Sequence, residues 1–182
     1  MTIMADRPSA RERQQIIDAF VSEAFAGVGP GATGARIAEG MRQLPADAPD
    51  ELDADKARAW DELAELVADP AFRRRVRQMA VTGAQEAEKR PYDPQPILEH
   101  AGAAVAAGIA PGSPEGREVL DRIVPAGTPA EERRRLAGQV ETFTDRRVER
   151  FWELTGVLND RPPFPSGVPA FEWLAEALRA HA

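Results

Sequence analysis

Apolar residues recur along this chain at helical spacing, in blocks separated by polar junctions rich in Pro, Gly, Asp and Ser. In the first block Ile16, Phe20, Val21, Ala24 and Phe25 follow one another at intervals that place them on one helical face. Ser9-Ala10-Arg11-Glu12 opens it as a capping box, with a hydroxyl to accept an orphan amide and a carboxylate to reach back. Gly27-Val28-Gly29-Pro30-Gly31 ends it. A short helix over 33–42 has Ile37 and Met41 on one face, and 45–53 reads as a polar loop. The next helix, 53–68, carries an apolar stripe of Trp60, Leu63, Ala64 and Val67.

Asp69-Pro70 restarts the chain, because Asp caps and Pro fits a first helical position whose N–H has no partner in any case. That helix turns Phe72, Val76, Met79 and Ala80 inward and Arg73, Arg74, Arg75 and Arg77 mostly outward. Asp93-Pro94 repeats the device and opens a small-residue helix, 97–107, with His100 and Gly102. Ser113-Pro114-Glu115 and Thr128-Pro129-Ala130-Glu131 are two further starts. The second is expected to open one unbroken helix to about residue 159, bearing Phe143, Phe151 and Trp152. Arg161-Pro162-Pro163-Phe164-Pro165 then turns the chain, and a short helix with Phe171, Trp173 and Leu174 closes it. Strand-like alternation is absent and β-branched residues are sparse, so the fold predicted is all-α, with seven to nine helices. Trp60 to Phe72 faintly echoes Trp152 to Phe164, which suggests two similar helix-turn units; a helix ending in Asp-Pro is common enough that coincidence explains the echo at least as well.

At 182 residues the chain makes one domain over 1–182, or two small helical subdomains sharing a core, with 1–8 as a disordered tail. Of its 3 Trp and 7 Phe, two Trp and four Phe fall after Thr128, so the core is expected to be anchored there. A net charge of −7 makes the chain a poor non-specific binder of nucleic acid. The absence of Cys excludes disulfides, thiolate metal sites and Cys nucleophiles. No apolar run reaches membrane-spanning length and the N-terminus lacks a signal-type apolar stretch, which makes the cytoplasm the default location.

Catalytic chemistry finds little purchase. The only two His are His100 and His181, and Glu99-His100 are adjacent, so their side chains diverge where a helical metal pair needs i, i+3 spacing. There is no Gly-x-Ser-x-Gly, and Ser9 and Ser113 are accounted for as caps. Gly29 to Gly34 is Gly-rich, but no strand precedes it and no Lys follows, so it is a weak phosphate cradle. Glu141, Asp145 and Glu149, with Arg146, Arg147 and Arg150, read as a solvated, salt-bridged face, and Arg133-Arg134-Arg135 reads the same way. No enzyme, metal or cofactor is expected. The aromatics carry the remaining information, either as core or as the lining of an apolar cavity.

Three stretches resemble the effector-binding domain of actinobacterial MerR-family transcriptional regulators. They are Ser9 to Phe20, Trp60 to Arg77, and Asp145 to His181 with its Glu-Arg-Phe-Trp-Glu-Leu and Ala-Phe-Glu-Trp-Leu-Ala-Glu-Ala-Leu runs. In that family a winged helix-turn-helix binds promoter DNA, a linker helix dimerises, and a variable C-terminal domain binds the inducer. This sequence shows no winged helix-turn-helix before Ser9 and no linker coiled coil, so it looks like the effector domain alone. More distantly it is similar to the drug-recognition domains of thiostrepton-induced regulators. The resemblance implies a partner that is a small apolar or amphipathic molecule, antibiotics included, with no nucleic-acid contact by this chain itself and a homodimer as an open alternative. The expected lining is Trp60, Phe72, Met79, Phe143, Trp152, Phe164 and Trp173, with Tyr92, His100 or Glu141 as polar contacts. Phe151 to Trp173 would form one wall and the Trp60–Met79 helices the other. The competing expectation is a helical protein-interaction module with an exposed apolar patch.

Overall fold

The structure, a computed structural model, describes residues 8–29, 32–45, 50–86 and 93–182. The expected tail, but for Pro8, and Tyr92 lie outside the described residues, as do parts of the predicted junctions at 27–31 and 45–53. The chain is all-α. Its helices are α1 (Ala10–Ala24), α2 (Ala32–Arg42), α3 (Ala54–Ala68), α4 (Pro70–Glu86), α5 (Gly102–Ala106), α6 (Pro114–Ile123), α7 (Ala130–Phe143), α8 (Arg146–Leu158) and α9 (Val168–Ala180). A π-helical turn, Ile97–Ala101, leads directly into α5. Among the described residues there is no strand, and no helix is long and apolar enough to cross a membrane.

The chain divides into two compact units, one of residues 1–90 and 150–164, the other of residues 91–149 and 165–182. In the first unit α1 packs against α2, α3 and α4, and α4 packs against α2 and α3. The capping box forms as the sequence predicts: Glu12 N–H donates to Ser9 Oγ at 3.3 Å and Ser9 N–H to Glu12 Oε2 at 2.8 Å. Asp53 likewise accepts from the Asp55 and Lys56 amides and opens α3, and Asp69 accepts from the Ala71 amide at 2.8 Å to open α4. The face of α1 differs from the expected one by a residue. Ile17 is fully buried and Ile16 is 39% exposed. Ile17 lies four residues from both Arg13 and Val21 and three from Phe20, so it belongs to the stripe that also ends on Ala24. On α2 the buried residues are Ala38 and Met41, and Ile37, expected inward, is exposed.

The second unit is built on α9, which packs against α7, the π turn, α5 and α6. Its core joins Ile97, Ala101, Ala104, Leu120, Ala137, Ala170, Trp173, Leu174, Ala177 and Leu178. Both ends of α9 are met by charge from elsewhere in the unit. At the N-terminus Glu149 accepts from Gly167 N–H at 2.7 Å, Val168 N–H at 3.4 Å and Ser166 Oγ at 2.6 Å. At the C-terminus Arg133 donates to the His181 carbonyl at 2.6 Å and also to the Ala126 carbonyl at 2.8 Å. Arg133 is only 4% exposed, so the reading of Arg133 to Arg135 as a solvated run fails at its first member. Arg13, the fourth residue of α1 as Arg133 is of α7, is equally buried and donates to the Pro8 and Asp50 carbonyls.

The long closing helix is broken. Thr144 is extended (φ −104°, ψ 111°) and its hydroxyl donates back to the Val140 carbonyl at 2.6 Å. Asp145 then caps a new helix, accepting from Arg147 N–H at 2.8 Å. Thr-Asp here is a stop followed by a cap, the same device as Asp69-Pro70 without the proline. The three carboxylates expected on one face therefore part company: Glu141 pairs with Arg179, Asp145 caps α8, and Glu149 caps α9. The internal echo also ends differently in its two copies. Asp69 opens a helix, and Asp160 takes a left-handed conformation (φ 53°) before the non-helical residues 161–167.

Truncating the buried Arg133 to Met leaves the His181 and Ala126 carbonyls without their charged donor, and unfolding in urea should show a loss of about 2–4 kcal/mol. Arg133→Lys should recover only part of it, since an ammonium cannot reproduce the guanidinium fork. Gly116 makes a second test. A Cβ there would lie 2.4 Å from the Ala110 carbonyl oxygen and 2.6 Å from that of Pro111. Backbone has little room to yield, so Gly116→Ala should cost about 1–3 kcal/mol in the same assay.

Candidate functional site

The expected lining residues fall into two sets. Trp60, Phe72, Met79, Trp152 and Phe164 belong to the first unit, and His100, Phe143 and Trp173 to the second. The proposed wall from Phe151 to Trp173 is itself divided, its residues through Phe164 lying in the first unit and the rest in the second. In the second unit Trp173 is a core residue, 6% exposed, whose indole N–H donates to the Ile109 carbonyl at 2.7 Å. His100 is half-buried on the π turn, and Phe143, at the end of α7, is 44% exposed. Glu141, expected as a polar contact, is engaged by Arg179 through both carboxylate oxygens, and that hydrogen bonding holds its carboxyl below the usual range.

In the first unit the aromatics form a graded series from core to surface. Phe20, Phe72 and Phe151 are at most 1% exposed and make a three-ring cluster, with centroids 5.6 Å apart for Phe20–Phe72, 5.9 Å for Phe20–Phe151 and 6.3 Å for Phe72–Phe151. Each such burial contributes about 1.5–3 kcal/mol. The Arg73 guanidinium stands 5.9 Å over the Phe20 ring and pairs with Glu23 at 3.0 Å, closing one side. Trp60 is buried at 2% exposure and Met79 is half-buried. Trp152 meets Phe151 edge-on, at 5.7 Å and 88°. Being one residue on, it steps about 100° round α8, away from the cluster. It is half-buried, whereas Trp60 and Trp173 are buried.

Trp152 rests on α2. A Cβ at Gly40 would lie 3.3 Å from Trp152 Cη2 and 3.7 Å from Cζ3, so the indole sits on bare helix backbone. Exposed Ile37 lies one turn back from Gly40 along α2. The C-terminal end of α2 is tied down by amide side chains: Gln14 Nε2 donates to the Arg42 carbonyl at 2.8 Å and Asn159 Nδ2 to that of Gln43 at 3.0 Å. Arg150, in the first half of α8, donates to Glu62 through two bonds of 2.6 Å and to Glu153 at 2.8 Å. These bonds hold Glu62 below, and Arg150 above, its ordinary pKa. Sequence reasoning missed Gly40 and Ile37. The available signal was a glycine inside a helix, where it costs about 1 kcal/mol against Ala unless close packing requires it.

Among the described residues no group of three His, Asp or Glu side chains is placed to hold a metal ion. The geometry offers contact surface, an aromatic face and an aliphatic neighbour on a braced helix pair. No family model matches the chain, and no curated protein or solved structure matches it.

The depressed carboxyls predict a pH dependence. Glu62 and Glu141 bind protons less readily folded than unfolded, so their contribution is present above the ordinary carboxylate range and is lost as pH falls through the depressed values. Both are half-exposed, so each contributes at most about 1 kcal/mol. Urea titrations from about pH 6 down to about pH 3 should show stability falling, with a shallower fall in the Glu62→Gln, Glu141→Gln double variant.

Proposed function

We propose that this chain is a small-molecule-binding domain of the MerR effector type, which takes an apolar or amphipathic ligand against the part of Trp152 left accessible. The reading draws on the resemblance of three stretches of sequence to such domains. The single observation that carries it to a location is the half-buried Trp152 indole seated on Gly40, with exposed Ile37 one turn away. An aromatic face on a braced surface offers stacking and dispersion to a flat ligand. Trp60 and Trp173, both buried, then serve as core. In an intact regulator such a ligand would act by binding one conformational state more tightly than another.

A panel of hydrophobic antibiotics and dyes should include compounds that quench Trp fluorescence and raise the melting temperature. Trp152→Ala should abolish both responses. Conservative Trp60→Phe and Trp173→Phe variants should keep them. Absence of quenching and stabilisation by every compound up to its solubility limit would sink the reading. Quenching that survives Trp152→Ala would remove the site from this face.

A further inference from the structure

The residues that follow α8 form a second exposed feature, one that the ligand reading does not use. Arg161, Pro162, Pro163, Phe164, Pro165 and Ser166 are all exposed, and Phe164 keeps 45% of its surface in solvent. An exposed Phe is unremarkable alone; what distinguishes this one is the backbone that presents it. Three prolines fix φ near −65°, and the residues that precede them, Arg161, Pro162 and Phe164, are confined to extended conformations. The prolines also lack N–H groups, so this stretch can neither continue the helix nor add a strand. The segment is anchored where it begins. Arg161 N–H donates to the Gly156 carbonyl at 2.9 Å, and its guanidinium donates to Gln43 Oε1 at 3.0 Å. Ser166, where it ends, donates to Glu149.

We propose that Arg161–Pro165 is a polyproline-type docking segment, read by a partner protein through an aromatic-lined groove with an acidic rim. Pro-rich segments bind such grooves because their extended backbone is already formed and loses little entropy on docking. Phe164 supplies the aromatic anchor and Arg161 the cation that an acidic rim answers. A second copy of this chain is a poorer occupant. Such a groove needs paired aromatic side chains at the surface, and in the ring pairs among the described residues every member except Trp152 is buried.

The test is a titration of the ¹⁵N-labelled full chain with three purified groove domains as probes: an SH3, a WW and an EVH1 domain. Saturable shifts confined to Arg161, Phe164, Ser166 and their neighbours are expected with at least one probe. Phe164→Ala should weaken that binding at least about tenfold, and Pro163→Ala should weaken it less. Both variants should keep the helical far-UV spectrum, since the residues they change are exposed. The proposal is overturned if none of the three probes gives saturable shifts, or if Phe164→Ala binds as the parent chain does. It is also overturned if the segment's resonances shift with protein concentration in the absence of a probe, which would make a second copy the occupant.

Discussion

Helix α9 is held at both ends by charges that come from other helices, and the second unit depends on that arrangement. A helix presents unpaired amides and partial positive charge at its start, and unpaired carbonyls and partial negative charge at its end. Glu149 answers the first with three donors converging on one carboxylate. Arg133 answers the second by donating to the carbonyl of His181, the C-cap residue. Between those ends α9 is too apolar to stand in water. Val168, Ala170, Trp173, Leu174, Ala175, Ala177 and Leu178 are all buried, so its polar termini are where the unit must satisfy it.

That arrangement explains why α7 and α8 are separate helices. In one continuous helix Glu141, Asp145 and Glu149 would line a single stripe. With Thr144 extended and Asp145 capping, the helix axis is reset. Glu141 remains on α7 for Arg179, and Glu149, in the first turn of α8, meets the first turn of α9.

Local devices were legible in the sequence and long-range ones were not. The Ser9 box and the Asp69 and Ser113 caps all form, because each needs only residues within three positions of itself. The face of α1 was misplaced by one residue because adjacent isoleucines satisfy a helical period almost equally well. Arg133 and Arg13 were hidden by their neighbours. An arginine in a charged run reads as solvated, and what buries it lies up to 48 residues away. The aromatic candidates fared unevenly for a related reason. Sequence spacing identifies which of them share a helix face, but nothing local distinguishes a tryptophan over glycine backbone from one in a core. Gly40, 112 residues before Trp152, makes that difference.

The first turns of α8 show how finely a helix can divide its labour. Within the first unit, Arg150 bridges Glu62 and Glu153, Phe151 completes the three-ring cluster, and Trp152 lies against Gly40. Successive residues point about 100° apart, so these three sweep about 200° round the axis, and each meets a different environment. Phe151 and Trp152 are both large and aromatic, yet they cannot exchange roles. Only one of the two directions faces the Phe20–Phe72 pair, and only the other faces a helix stripped to glycine. Which aromatic is fully buried and which only half-buried is therefore fixed by register.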